Sequence, residues 1–275
     1  MTTPAQSLAP DTPWGSVGTL LRDVMASREL LLAFVRRDLV LRYRQALLGV
    51  GWVVLSPLLN ILVFTVIFTR VAPLDTGVPY PVFVYAGLWP WTCFATSVRG
   101  ATVSLSANTA LVTKVAFPRQ VLPLAAVLVP LVDFVVAGAL MAGLMAWYRI
   151  PVGVAVLALP LVLLVQVAFT VGVALVVSVA NLYWRDTRHL VEAGLTIWMF
   201  ATSVVYPVDR LGGTLGALLA LNPMTPMVDA VRAVLLEGRL PAAASLGYSA
   251  AVALALLVVG GWWFQRSAPR FAECA

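Results

Sequence analysis

An all-α integral membrane protein with six transmembrane helices is the fold class this sequence predicts, on three observations. Apolar residues make up 61% and charged residues 11% of the 275-residue chain, against roughly 45–50% and about 25% in soluble domains. Apolar runs recur at lengths near the roughly 20 residues that a helix needs to cross a bilayer. Lys and Arg, which give a net charge of +6, gather beside alternate runs, as the positive-inside bias requires.

From the amino terminus, residues 1–15 read as a disordered tail, polar and rich in proline. Residues 16–45 read as an amphipathic helix at the cytoplasmic surface. Leu20, Leu21, Val24, Leu31, Leu32 and Val35 form its apolar side and Arg22, Arg28, Arg36 and Arg37 its basic side. No cleavable signal is expected, because the first long apolar run exceeds the length of an h-region. The apolar body, 46–266, holds spans near 47–69, 81–98, 120–147, 152–182, 190–207 and 245–264. Proline and glycine inside several of these predict kinks whose freed backbone groups neighbouring helices must satisfy. Between the fifth and sixth spans, residues 211–236 are apolar but broken by Asn222, Pro223 and Pro226. Two short re-entrant helices at the outer face fit this pattern better than a seventh span. Residues 267–275 form a cytoplasmic tail.

Alternating sides along six spans tests the topology. Arg22, Arg28, Arg36, Arg37, Arg42, Arg44, Arg99, Lys114, Arg119, Arg185, Arg188, Arg266 and Arg270 fall inside, and only Arg70, Arg149, Arg210, Arg232 and Arg239 outside. Both termini are therefore predicted to be cytoplasmic.

Several function classes are disfavoured. The basic residues flank apolar segments instead of forming a patch with interleaved aromatics, so nucleic acid is not the expected partner. Cys93 and Cys274 have neither CxxC nor metal-type spacing. Lys114 is the only lysine and follows Thr113, so the chain has no GKS or GKT of a phosphate-binding loop. His189, the only histidine, has no evident nucleophile to serve and reads as a surface residue. The chain is expected to be no enzyme, with no metal or cofactor of its own.

Four segments carry a family resemblance: RRDLVLRYRQALLGVGW at 36–52, NTALVTKVAFPRQVLP at 108–123, NLYWRDTRHL at 181–190 and NPMTPMVDAVR at 222–232. Together they resemble the permease subunit of type-2 ABC exporters, in the branch that exports lipid-linked polysaccharides such as O-antigen, capsule or teichoic acid (Wzm-like permeases). The long proline-rich tail and the Ala- and Val-rich body depart from that pattern. The resemblance implies a homodimer of six-span subunits in the bacterial inner membrane, served by two copies of an ATP-binding cassette subunit that carries ATP and Mg. It implies ATP-driven export of a lipid-linked polysaccharide. A drug or lipid exporter of the same fold is a second reading, and a membrane enzyme of glycan assembly a third, although the loops lack the acidic or metal-binding residues that the third requires.

Each segment then acquires an expected role. Asn108, Leu111, Val112, Lys114, Phe117 and Arg119 form a short apolar-ridged segment, stopped by Pro118, that resembles the family's coupling helix for the ATPase. Arg36, Arg37, Arg42 and Arg44 are guanidinium forks suited to the pyrophosphate of a lipid carrier or to anionic lipid. Trp52, Ser56 and Asn60 fall at i, i+4 spacing, as do Trp198, Thr202 and Tyr206. Each set would place aromatic, hydroxyl and amide groups on one face of a sugar channel. Asp133, a carboxylate inside the third span, is expected to be structural and paired with Arg99 or Gln166, with a proton-coupling role as the alternative.

Overall fold

The computed structural model describes residues 22, 25–44, 49, 51–114, 117–208 and 213–271. The predicted tail 1–15, the apolar positions Leu20, Leu21 and Val24, and Cys274 lie outside the described residues. Among the described residues every regular element is helical.

Helix α1 (Arg28–Tyr43) buries Leu31 and Val35, one turn apart. They meet Val121, Ala125 and Val129 of α5 (Val121–Trp147), so α1 lies alongside the first half of α5. Helix α2 (Gly51–Val66) continues into a π-helical turn, Ile67–Val71, and buries only Ile61. Nearly all its apolar surface faces outward.

Helix α3 (Tyr80–Ser104) is the opposite case, buried on almost every side and packed by α2, α5, α6, α7 and α9. It begins with proline in its first turn, where the missing N–H costs nothing. Its polar side chains find main-chain acceptors on α5. Trp89 Nε1 donates to Phe134 O at 2.9 Å and Tyr85 Oη to Ala137 O at 2.8 Å, while the Trp89 and Phe134 rings stack at 4.1 Å. A 3₁₀ turn, Ser106–Asn108, and the short α4 (Thr109–Lys114) lead back to α5.

Helix α6 (Leu159–Tyr183), entered through a 3₁₀ turn at Val154–Ala158, pairs closely with α10 (Ala243–Ser267). Glycine makes that approach possible. A Cβ on Gly172 would stand 2.8 Å from the Leu256 backbone, and one on Gly260 2.8 Å from Gly172 O. Small residues bring helices together in this way where no hydrophobic effect drives them together. A last 3₁₀ turn, Ala268–Arg270, follows α10.

Among the described residues four helical stretches are long and apolar enough to cross a membrane: Gly51–Val71, Val121–Trp147, Val154–Tyr183 and Ala243–Arg270. They make the chain an integral membrane protein. Helix α3 has the length, at 25 residues, but its neighbours are protein on nearly every side.

The predicted continuous helix at 190–207 is corrected. Helix α7 (Thr187–Phe200) has 14 residues, about 21 Å, and residues 201–206 form a turn. Pro207 has no N–H to return to the carbonyl four residues back, Ser203. Arg232 Nη1 takes that carbonyl instead. Helices α8 (Gly213–Ala220) and α9 (Met224–Leu235) follow as two short elements joined at Asn222 and Pro223.

Candidate transport pathway and coupling surface

Trp52, Ser56 and Asn60 lie together on the exposed side of α2, with Leu59, Leu62 and Val63 beside them. In a single copy this face meets none of the chain's own core. It is an apolar strip that carries an amide and a hydroxyl.

Trp198, Thr202 and Tyr206 behave differently. The break at Phe200 ends the helical spacing, and the three residues do not form an exposed stripe. Trp198 packs edge-on against Trp91, Phe94 and Phe169 at 5.2–6.3 Å and donates from Nε1 to Asn222 Oδ1 at 2.8 Å. Thr202 is fully buried; its hydroxyl donates to Trp198 O at 2.7 Å and accepts from Asn222 Nδ2 at 2.8 Å. Tyr206 is half-buried and its hydroxyl donates to Phe200 O. Spacing alone could not reveal this, because it assumed an unbroken helix.

The expected coupling segment is tied into the chain on three sides. Arg37 Nη1 donates to Asn108 Oδ1 at 3.3 Å, and Phe34 and Phe117 meet at 6.2 Å; both contacts fasten it to α1. Asn181 at the end of α6 donates to Ser106 Oγ at 3.1 Å. Arg119 Nη1 donates to Ala268 O, and its guanidinium lies 5.9 Å from the Phe271 ring. Val112 is wholly buried, in one cluster with Leu105, Leu122, Leu182, Phe264 and Phe271. The apolar ridge thus points into the chain: Val112 fully, Leu111 and Phe117 in part. Ala107, Ala110 and Thr113 are the exposed positions. Of Lys114 only the backbone is described.

The four arginines of the first basic segment divide into two pairs. Arg36 and Arg44 are exposed. Arg37 pairs with Asp38 at 2.8 Å and sits 4.7 Å above the Phe34 ring, while Arg42 is paired with Asp133. Arg37, Asp38, Arg42 and Asn108 line a groove of about 460 Å³ between α1, α3 and α5, whose remaining lining is apolar apart from Thr96 and Ser104.

For Asp133 the expected partners are corrected. Arg99 pairs with Glu192 of α7 at 2.8 Å, and Gln166 donates to Pro90 O at 2.7 Å. Asp133 accepts from Arg42 and from the Tyr43 hydroxyl, because α1 runs along α5. Burial, then the hydrogen bond to the Asp133 carboxylate, pushes the Tyr43 phenol up to about 12, so it remains a donor at any physiological pH. His189 is exposed and accepts from Arg188 Nε at 3.2 Å. Among the described residues no three His, Cys, Asp or Glu side chains are grouped to hold a metal ion.

The residue that sequence reading underrated is Arg232. It was assigned to the outer loop charges, yet it is 4% exposed. The signals were present: a cation ten residues after a helix-breaking Asn-Pro pair, and Pro207 freeing the Ser203 carbonyl.

Apolar spanning helices around a buried α3 define a multi-pass membrane protein. Residues 29–236 match the ABC-2 type transporter family, and the chain belongs to it. It is 38% identical over 258 residues to the O-antigen export system permease protein RfbA of Myxococcus xanthus, covering 92% of this chain and 98% of that one. It is 31% identical over 248 residues to the protein of the same name from Klebsiella pneumoniae, covering 89% and 94%. Membership places the chain in the bacterial inner membrane, as the transport subunit of an ABC transporter whose ATPase is a separate partner.

Proposed function

We propose that this chain is the permease subunit of an ATP-driven exporter of a lipid-linked polysaccharide of the O-antigen class. The observation that carries this reading is similarity running along 98% of the Myxococcus permease. The chain crosses the membrane six times with both termini inside. Helix α3 and α7 with its broken tail complete the count, and α8–α9 re-enter from the outer face. Two copies face each other and are served by two ATP-binding subunits, which hold ATP and Mg; this chain needs no cofactor. The exposed Trp52, Ser56 and Asn60 line the passage between the copies, with Trp198, Thr202 and Tyr206 shaping its outer part from behind. Arg36 and Arg44 receive the carrier's pyrophosphate at the cytoplasmic face, and the groove bounded by Arg37 and Arg42 holds it. The segment from Asn108 to Arg119 carries the ATPase stroke to α1, α6 and α10.

The test is ATP hydrolysis by the permease purified with its ATP-binding partner in lipid, with and without a lipid-linked glycan. Hydrolysis by the pair that changes with glycan is the expected result. A pair insensitive to glycan but stimulated by a drug or a free lipid would redirect the substrate reading.

A further inference from the structure

Arg232 is a buried cation whose neighbouring carboxylate is not its main partner. Asp229 stands 3.5 Å away with its side chain half exposed. The guanidinium is directed at main-chain carbonyls. Nη1 donates to Ser203 O, Nη2 to Val204 O at 2.7 Å and Nε to Phe83 O at 3.3 Å, while the Phe83 ring lies 3.7 Å below the group. Asn222, beside the first turn of α9, extends the pattern. Its amide donates to Ala201 O and to Thr202 Oγ1, both at 2.8 Å, and its carbonyl accepts from Trp198 Nε1 and from the Met224 N–H at 3.0 Å. Two side chains at the two ends of α9 thus serve four consecutive residues, 201–204. They stand in for the intrahelical donors lost where α7 ends at Phe200.

Helix α3 belongs to the same assembly. A Cβ on Gly87 would fall 2.5 Å from Val204 O and 2.6 Å from Arg232 Nη2, so the α3 backbone touches the tail directly. Tyr80 adds a hydrogen bond from its hydroxyl to Val205 O at 2.9 Å.

We infer that α9, the 201–206 tail of α7 and the first half of α3 form one rigid body keyed by Arg232, and that the passage opens without separating these parts. Helix α9 does not lift away from the end of α7. Separation would strand a guanidinium and three carbonyls together away from water, which is far costlier than moving them as a unit. Arg232 is then a positioning residue: it touches no cargo but, with Asn222, sets where Trp198 and the tail stand. The inference rests on the export reading for its consequence, though not for its geometry.

Ser203 Oγ donates to Asp229, which gives a place to test the geometry. Ser203→Cys and Asp229→Cys, in a Cys93→Ser, Cys274→Ser background, are crosslinked in the full exporter with its ATP-binding partner. The expected crosslinking yield is equal without nucleotide and with ATP and vanadate; a yield that falls at least threefold in either state overturns the rigid body, whatever the cargo proves to be. Export in the crosslinked protein, relative to the same protein after reduction, then reads the consequence. At least half is expected, and loss restored by reduction overturns it. Arg232→Met and Gly87→Ala give a second reading on assembled exporters. Glycan exported per ATP hydrolysed should fall at least tenfold in both and recover in part with Arg232→Lys, whereas an unchanged ratio overturns the positioning role. Absence of glycan export by the unsubstituted exporter would count against the export reading and leave the crosslinking result standing.

Discussion

Asp133 gathers two partners from the same end of α1, and they favour a structural role over proton coupling. A proton relay needs a second titratable group that can take the proton on, whereas Asp133 faces the Arg42 guanidinium and a phenol held protonated to about 12. It is a clamp holding α1 to α5. With side chains 36% and 22% exposed, Arg42 and Asp133 fall between an exposed pair, worth about 0–1 kcal/mol, and a buried one, whose breakage costs about 3–5 kcal/mol. Asp133→Asn should therefore cost about 1–3 kcal/mol, read as a lower melting temperature of the purified complex. Its residual export should respond to collapse of the proton gradient as the unsubstituted protein does; an altered response would restore the coupling role.

At the scale of elements, the α6–α10 contact and the α4 turn give contrasting predictions. Gly172→Leu drives a side chain into the Leu256 backbone, which cannot yield as a side-chain tip would. Overpacking costs about 1–3 kcal/mol where neighbours can adjust, and more is expected here, seen as loss of folded protein in the membrane fraction. On α4, Val112→Asp buries a charge among Leu105, Phe264 and Phe271 and should unfold the junction. Ala110→Glu or Thr113→Glu, on its exposed side, should leave the permease folded and abolish co-purification of the ATPase subunit. Retained co-purification would place the docking surface elsewhere. Helical segments near each predicted span were legible because apolar run length and charge are local properties. The end of α7 was not, since the carbonyls that follow it are taken by Asn222 and Arg232, some 20 to 30 residues away in sequence. Likewise the apolar residues of the coupling segment were visible, but not that Val112 turns inward, because the C-terminal turn that covers it is distant in the chain.

For the whole molecule, the distribution of exposed arginine makes a prediction about cargo. Arg36 and Arg44 are exposed, whereas Arg37 and Arg42 have carboxylate partners. If the basic segment receives a pyrophosphate, Arg36→Ala with Arg44→Ala should lower export several-fold at normal abundance and leave melting unchanged. Arg42→Ala should lower both. Equal export from the Arg36 and Arg44 double variant would assign these side chains to anionic lipid alone.

Helix α3 has a consequence in time as well as in space. Of the helices packed on it, α2 precedes it, and α5, α6, α7 and α9 are synthesised after it. A nascent chain that has just released α3 holds a helix with Arg99, Trp89 and Tyr85 but with none of the later helices that receive them. Such a segment partitions poorly into lipid by itself, so it should linger at the translocon until α5 and α6 emerge. Chains arrested before α5 emerges from the ribosome should leave α3 crosslinkable to the translocon, and chains arrested after α6 has emerged should release it into the membrane.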